Sequence, residues 1–393
     1  GFLVLGTDAG LFYSRDDGAT WKQVRGSFPT APVWDVQFVA RKHDLVIATH
    51  GRGLFVLDNI TPLEEFTPQV AAGDFHLFGT LPAQIRVRPR REGAAASRLM
   101  VPNAPQGAMI DYYLRSELKP SDEQKQQRRT PVRIVITDSR GDTVTTEYGP
   151  FKQGFNRYVW NLRYQAPERL TFEKLQEEEE ENPFRALGGP RVVPGTYTVA
   201  VTVAGKTETR TVTVEADPRV PAPAAAFVAQ TRAGLELRNA VSALHAALNR
   251  MSGLQDQLQH LRQTLRGSGD SVEYRPVLQQ AEALGSKVKE LKDSLYNSDV
   301  QRDAPEDDIH YLSRFGERLE RLGFGLSQAY AQPPSEVVAA DLQRLRGELD
   351  GYLAKFNALL GTDVVAFNKT AVEHHAPTLV GGEPVQMRAV AAN

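Results

Sequence analysis

Two hydrophobic periods divide the chain. In the C-terminal part, Leu237, Val241, Leu244, Leu248 and Met251, then Leu254, Leu258, Leu261 and Leu265, follow steps of three and four with one slip between Met251 and Leu254. That spacing predicts one long amphipathic helix, ended at Gly267-Ser268-Gly269. A second stripe runs through Leu278, Ala281, Leu284, Val288, Leu291 and Leu295, and a third through Leu312, Phe315, Leu319, Leu322 and Leu326. The fourth holds Val338, Leu342, Leu345, Leu349, Phe356 and Leu360, opened by Pro333-Pro334-Ser335 with Ser335 as N-cap. Four stripes with short breaks predict an antiparallel helical bundle over residues 222–362, its stripes forming its own core. Residues 363–393 lack periodicity and are expected to form an extended C-terminal tail.

Upstream of the stiff linker Asp217-Pro218-Arg219-Val220-Pro221-Ala222-Pro223 the period drops to two. Tyr197, Val199, Val201 and Val203 alternate with Thr198, Ala200 and Thr202, which predicts a strand with one core face and one wet face. Further short strands are expected at 75–78, 84–87, 109–114, 132–137, 158–162 and 207–214. Asp138–Asp142 and Ala204-Gly205-Lys206 serve as hairpin turns. About seven short strands suit a β-sandwich over residues 75–217. The polar stretch 121–130 reads as a mobile loop, and Trp160 as a core residue rather than a sugar platform.

At the N-terminus, Leu3-Val4-Leu5-Gly6-Thr7-Asp8-Ala9-Gly10-Leu11-Phe12 recurs with one insertion as Leu45-Val46-Ile47-Ala48-Thr49-His50-Gly51-Arg52-Gly53-Leu54-Phe55. A period of about 42 residues filled with short β-runs is that of a propeller blade. Strands are expected at 3–7, 11–14, 20–24, 33–39 and 54–58, and the second blade stops after its third. Residues 1–70 would then hold the last one and three-quarter blades of a ring, the remaining blades lying on an upstream segment or a separate chain. On a blade, Asp8, Thr49, His50 and Arg52 fall on the face where ligands bind, with Gly51 and Gly53 turning the backbone beneath them.

The turn Ser14-Arg15-Asp16-Asp17-Gly18-Ala19-Thr20-Trp21 has the spacing Ser-x-Asp-x-Gly-x-Thr-Trp. The carboxylate can accept backbone N–H groups, and glycine takes a positive φ without a clash. This stretch resembles an Asp box, the repeat of bacterial sialidases and sortilin-type propellers. The residues Ser14, Asp16, Gly18, Thr20 and Trp21 are expected to be structural and to lie on the face away from the ligand. Gly154–Leu162 with Pro194-Gly195-Thr196-Tyr197 is similar to immunoglobulin or fibronectin type III domains appended to bacterial surface proteins. Together, the order of blades, sandwich and helices resembles the C-terminal part of large bacterial BNR-repeat proteins labelled sortilin-like or glycosyl hydrolase. The fold class expected is therefore multidomain, β plus α: partial β-propeller, immunoglobulin-like sandwich and helical bundle.

Composition changes this picture little. With 393 residues, 41% hydrophobic and 24% charged, the chain is ordinary globular material with room for several cores. A net charge of −2 gives no footprint for nucleic acid or an anionic membrane, and no apolar run is long enough for insertion in a bilayer. Without cysteine there is no disulfide, thiol nucleophile or thiolate metal site. The five glutamates Glu177–Glu181 read as a solvated run rather than a calcium loop. His245 and His260 stand too far apart to share a metal, and His374-His375 sit in the tail. No cofactor or metal is expected.

No catalytic set can be assembled either: the sialidase arginine triad, Tyr-Glu pair and acidic aspartate have no matching motif. The resemblance implies a secreted or periplasmic protein whose propeller face binds protein or glycan, with the later domains as supports; separately, the long helices themselves offer a dimerisation surface. The alternative is the C-terminal part of a sialidase-like glycoside hydrolase whose catalytic residues lie upstream.

Overall fold

The computed structural model describes residues 1–26, 28–86, 105–171, 187–267, 272–296, 313–328 and 330–390. The glutamate run Glu177–Glu181, together with Val87, Ser268, Gly269 and Leu312, lies outside the described residues. The architecture is β plus α, with several largely antiparallel sheets followed by long helices, one strand pair of the largest sheet being parallel. The chain divides into two compact units, Gly1–Arg163 with Pro194–Pro221, and Tyr164–Val193 with Ala222–Asn393.

The first unit begins with two three-stranded antiparallel sheets. One is ordered β1 (Leu3–Thr7), β2 (Gly10–Ser14), β3 (Lys22–Gln23), and the other β4 (Val33–Val39), β5 (Asp44–Thr49), β6 (Gly53–Leu57). The outer strand expected at 20–24 is only two residues long, because Asp16 and Thr20 hold the chain in a turn up to that point. The sheets meet closely at β1 and β4: a Cβ on Gly6 would stand 2.6 Å from Val33 Cγ1. Leu11, Leu45, Ile47 and Ile60 are buried between them, with Val4, Val36 and Phe55 packed alongside.

Two short helices follow, α1 (Thr61–Glu65) and α2 (Pro68–Ala72), each with proline in its first turn, where its missing N–H costs nothing. Next come β7 (Phe75–Leu77), β8 (Ala83–Gln84), β9 (Ala108–Leu114), α3 (Asp122–Gln126), β10 (Val132–Thr137), β11 (Thr143–Gly149), β12 (Gly154–Trp160), β13 (Gly195–Val203) and β14 (Lys206–Glu215). They form a five-stranded sheet, β11-β10-β13-β14-β8, and a three-stranded sheet, β12-β9-β7. Trp160 of the smaller sheet lies edge-on against Tyr197 of the larger at 5.3 Å and is 1% exposed, so it is a core residue.

One local expectation is corrected, and one strand stands where none was expected. The stretch 121–130 contains α3 rather than a loop, because Ser121 and Gln124 close a reciprocal capping box. Strand β11 escapes the sequence pattern, since Thr143, Thr145, Thr146 and Glu147 look wet, although Val144 and Thr145 are buried.

A buried polar clamp ties the β4–β6 sheet to β9 and β12. Asp111 accepts from Arg157 Nε at 2.6 Å and Nη2 at 3.0 Å, and from Asn59 Nδ2 at 2.9 Å. Arg157 also donates to the Asp58 carbonyl at 3.0 Å, while the Asn59 N–H donates to Asp44 at 2.9 Å. Bidentate pairing of this kind is strong because both partners are charged and the geometry is fixed.

The second unit holds α4 (Ala224–Gly267), α5 (Arg275–Leu295), α6 (Phe315–Gln328), α7 (Glu336–Leu359) and α8 (Val365–Glu373). All nine predicted stripe positions on α4 are buried, and the slip between Met251 and Leu254 leaves both at 0% exposure. Ser335 caps α7, its Oγ accepting from Val338 N. The helix does not stop at Gly361: a π-turn over Leu360–Val364 carries it into α8, since Val364, Phe367 and Ala371 continue the buried stripe. Only beyond His375 is the chain extended. There three amide side chains each grip one backbone unit at both its N–H and C=O, Asn368 at Leu379, Gln257 at Val380 and Asn357 at Val385. Among the described residues no helix is long and apolar enough to cross a membrane.

Candidate functional site

The turn after β2 consumes its own polar groups. Ser14 Oγ, 1% exposed as a residue, donates to Asp16 Oδ1 at 2.7 Å and accepts from Gly18 N at 2.9 Å. Asp16 accepts from Thr20 N at 2.8 Å and from Thr20 Oγ1 at 2.6 Å. These bonds to the charged form, those from Thr20 foremost, hold the Asp16 carboxyl down at about 2. The ring of Trp21 lies over Gly18, where a Cβ would be 3.7 Å from Trp21 Cζ2 and from Leu3 Cδ1. A carboxylate so engaged, with each oxygen already accepting, serves as a clasp and not as a proton carrier.

The corresponding turns of the two N-terminal sheets are built alike. Thr7 Oγ1 donates to the Gly10 carbonyl at 3.0 Å, and Thr49 Oγ1 donates to the Gly53 carbonyl at 2.7 Å. Thr49, a candidate ligand contact, therefore spends its hydroxyl on closing the turn. Gly51 and Gly53 take φ of +73° and +78°, which an L side chain rarely adopts. The loop between them lifts Arg52 into solvent, and Asp8 is exposed in the first sheet's turn. Among the described residues, neither Asp8 nor Arg52 makes an ion pair or side-chain hydrogen bond.

His50 is anchored by its N–H to the Pro32 carbonyl at 2.8 Å, and its ring stacks on Trp34 with centroids 4.5 Å apart and planes tilted by 33°. Trp34 is 73% exposed. It sits where the pairing of β4 with β5 shifts register between Val33 and Asp35, a bulge that turns the indole out of the sheet's packed face. The structure thus brings His50 together with an aromatic that the hydrophobic pattern treats only as a strand residue. Its signal was available: a tryptophan at the head of an edge strand, next to an aspartate. At the opposite end of this sheet, Asp58 is pushed up, first by burial and then by the charge of Asp44, with Arg157 opposing.

No group of three or more histidine, aspartate or glutamate side chains suited to a metal occurs among the described residues. No protein-family model matches the chain, and no curated protein matches it. Among solved structures, one titled "Biofilm associated protein - BSP domain" aligns at 10% identity with a TM-score of 0.19. The alignment covers 56% of this chain and 25% of that one, and a score so low carries no argument about fold or role.

Proposed function

We propose that residues 1–70 hold the last blades of a β-propeller, and that the chain is the non-catalytic binding or scaffold portion of an exported Asp-box protein. The later sheets are its immunoglobulin-like support and the helices its bundle. The twin three-stranded sheets with matching threonine-closed turns support the propeller reading. So do the apolar side chains on their outer faces, Leu3 and Leu5 on one and Leu54 and Val56 on the other, which further blades would cover.

The observation that carries the binding role is the exposed Trp34–His50 stack. Leaving an indole in water forgoes about 2 kcal/mol of burial, and aromatic platforms of this kind are the usual anchors of a recognition surface. The stack offers a flat apolar face for the C–H side of a sugar ring, while Arg52 and Asp8 offer a donor and an acceptor for hydroxyls. The proposed ligand is a glycan.

The test is a panel of immobilised glycans probed with the 393-residue chain and its Trp34→Ala and Arg52→Ala variants. The expected result is retention of one glycan class by the parent chain and a loss of about tenfold or more in affinity for Trp34→Ala. Parent and Trp34→Ala binding alike, or no glycan held, would sink the proposal. Release of free sugar during incubation would favour the glycoside hydrolase reading instead.

A further inference from the structure

Within the helical unit a cleft of about 470 Å³ opens between residues 165–168, one side of α4 and the tail at 384–388. A volume of that size falls in the range of small-molecule sites. Its walls carry three guanidinium groups, those of Arg238, Arg250 and Arg388, against the single carboxylate of Glu168. Among the described residues no carboxylate pairs with any of the three. Arg238 Nε and Arg250 Nη1 are buried and bond to nothing, although Arg238 Nη1 donates to the Gln165 carbonyl at 3.1 Å.

The cleft's framework is fixed by other bonds. Asn239 Nδ2 donates to the Arg388 carbonyl at 3.0 Å, which holds that part of the tail while leaving the Arg388 side chain exposed. A Cβ on Gly382 would come within 3.3 Å of Arg250 Nε and Cζ, so the tail lies directly against that guanidinium. Ser242 Oγ accepts from Glu168 N at 3.1 Å and keeps its own proton to donate. Glu168 Oε1 is turned to Asn249 Nδ2 at 3.4 Å.

A buried N–H without a partner costs about 1–3 kcal/mol, and more when it belongs to a charged group. Arginine cannot escape by losing its proton. Burial first, and then the neighbouring charge of Arg388, disfavour the Arg238 cation as the cleft stands. An oxyanion in the cleft would set an opposite charge against the three guanidinium groups, and the planar guanidinium fork matches a phosphate or carboxylate through two parallel hydrogen bonds.

We propose that this cleft binds a small molecule bearing a phosphate or carboxylate group, held between Arg238, Arg250 and Arg388. The proposal is independent of the glycan-binding role assigned to the Trp34–His50 surface. Because the tail forms one wall, occupation of the cleft also locks the tail against α4.

The experiment is calorimetric titration and thermal unfolding of the 393-residue protein with inorganic phosphate, glucose 6-phosphate and citrate. Glucose, and sodium chloride at matched ionic strength, serve as controls. At least one of the three oxyanions is expected to bind and raise the melting temperature where both controls do not. Arg250→Met should weaken that binding about tenfold or more, and Arg388→Ala, a change at an exposed side chain that spares folding, several-fold. Arg321→Met, outside the cleft, should bind as the parent does. Glucose 6-phosphate bound over citrate would assign the phosphate class, and the reverse the carboxylate class. The proposal is overturned if no oxyanion binds below about 10 mM, if sodium chloride reproduces the effect, or if Arg250→Met and Arg388→Ala both titrate like the parent.

Discussion

The leucine-rich stripes of the helical unit and the two N-terminal sheets handle apolar surface in opposite ways. On α4 and α7, Leu248, Met251, Leu258, Leu349 and Phe356 all reach 0% exposure, so the helices satisfy their stripes among themselves. On the sheets, Trp34 at 73%, Leu54 at 72% and Val56 at 56% remain in water. A helix needs only a neighbour along one stripe, which the same chain supplies within a few dozen residues. A sheet has two faces and two edges, and a three-stranded one covers neither face alone. The lesson is that exposed apolar residues carry information about partners only where the architecture has no internal means of covering them.

The largest effect that sharpens this contrast is a pair of truncations. Phe356→Ala should lower unfolding stability by about 3–5 kcal/mol, the range for deleting a fully buried aromatic, whereas Leu54→Ala should change it by less than about 0.5 kcal/mol. Chemical denaturation of both variants reads the difference, and equal losses would break the comparison.

A smaller loss is expected at the clamp that joins the β4–β6 sheet to β9 and β12. Asp111→Ala removes the acceptor of Arg157 and Asn59, leaving a half-buried guanidinium and a buried amide without it, at a cost of about 2–4 kcal/mol. The same change should raise amide exchange in β5 and β6 and leave α4 untouched. Unchanged exchange in β5 and β6 would show that the clamp is not what holds the sheet.

The smallest effect is one of pH, confined to the turn that Asp16 closes. Its carboxyl sits at about 2 in the folded chain against 3.8 when unperturbed. The folded pKa is the lower, so the stabilisation is present above about pH 4 and is lost as pH falls towards 2. The Thr20 amide signal should titrate with a midpoint at about pH 2 while helical signals do not, and Asp16→Asn should abolish the shift. A Thr20 titration near pH 4 in the parent would contradict the hydrogen-bonded turn.

Much of the fold was legible because it rests on local rules. The α4 stripe, the Ser335 cap, the Ala204-Gly205 hairpin and the strands at 3–7, 33–39 and 132–137 all stand where period and turn chemistry put them. Strand β11 and helix α8 were hidden for a common reason. Thr145 is buried only because of what lies opposite, and Gly361 is tolerated only because a π-turn keeps Val364 and Phe367 on the packed side.

The candidate sites divide along the same line. Sequence alone determined that Ser14, Asp16, Gly18 and Thr20 form a self-contained turn and that His50 and Arg52 stand on a glycine-hinged loop, since these depend on residues within a few positions of one another. Tertiary structure alone decided that Trp34 is turned outward onto His50, that Asp111 meets Asn59 and Arg157, and that Arg238, Arg250 and Arg388 share one cleft. Those partners are brought together by packing across elements, and no period along the chain encodes which distant side chains will share the space that packing leaves.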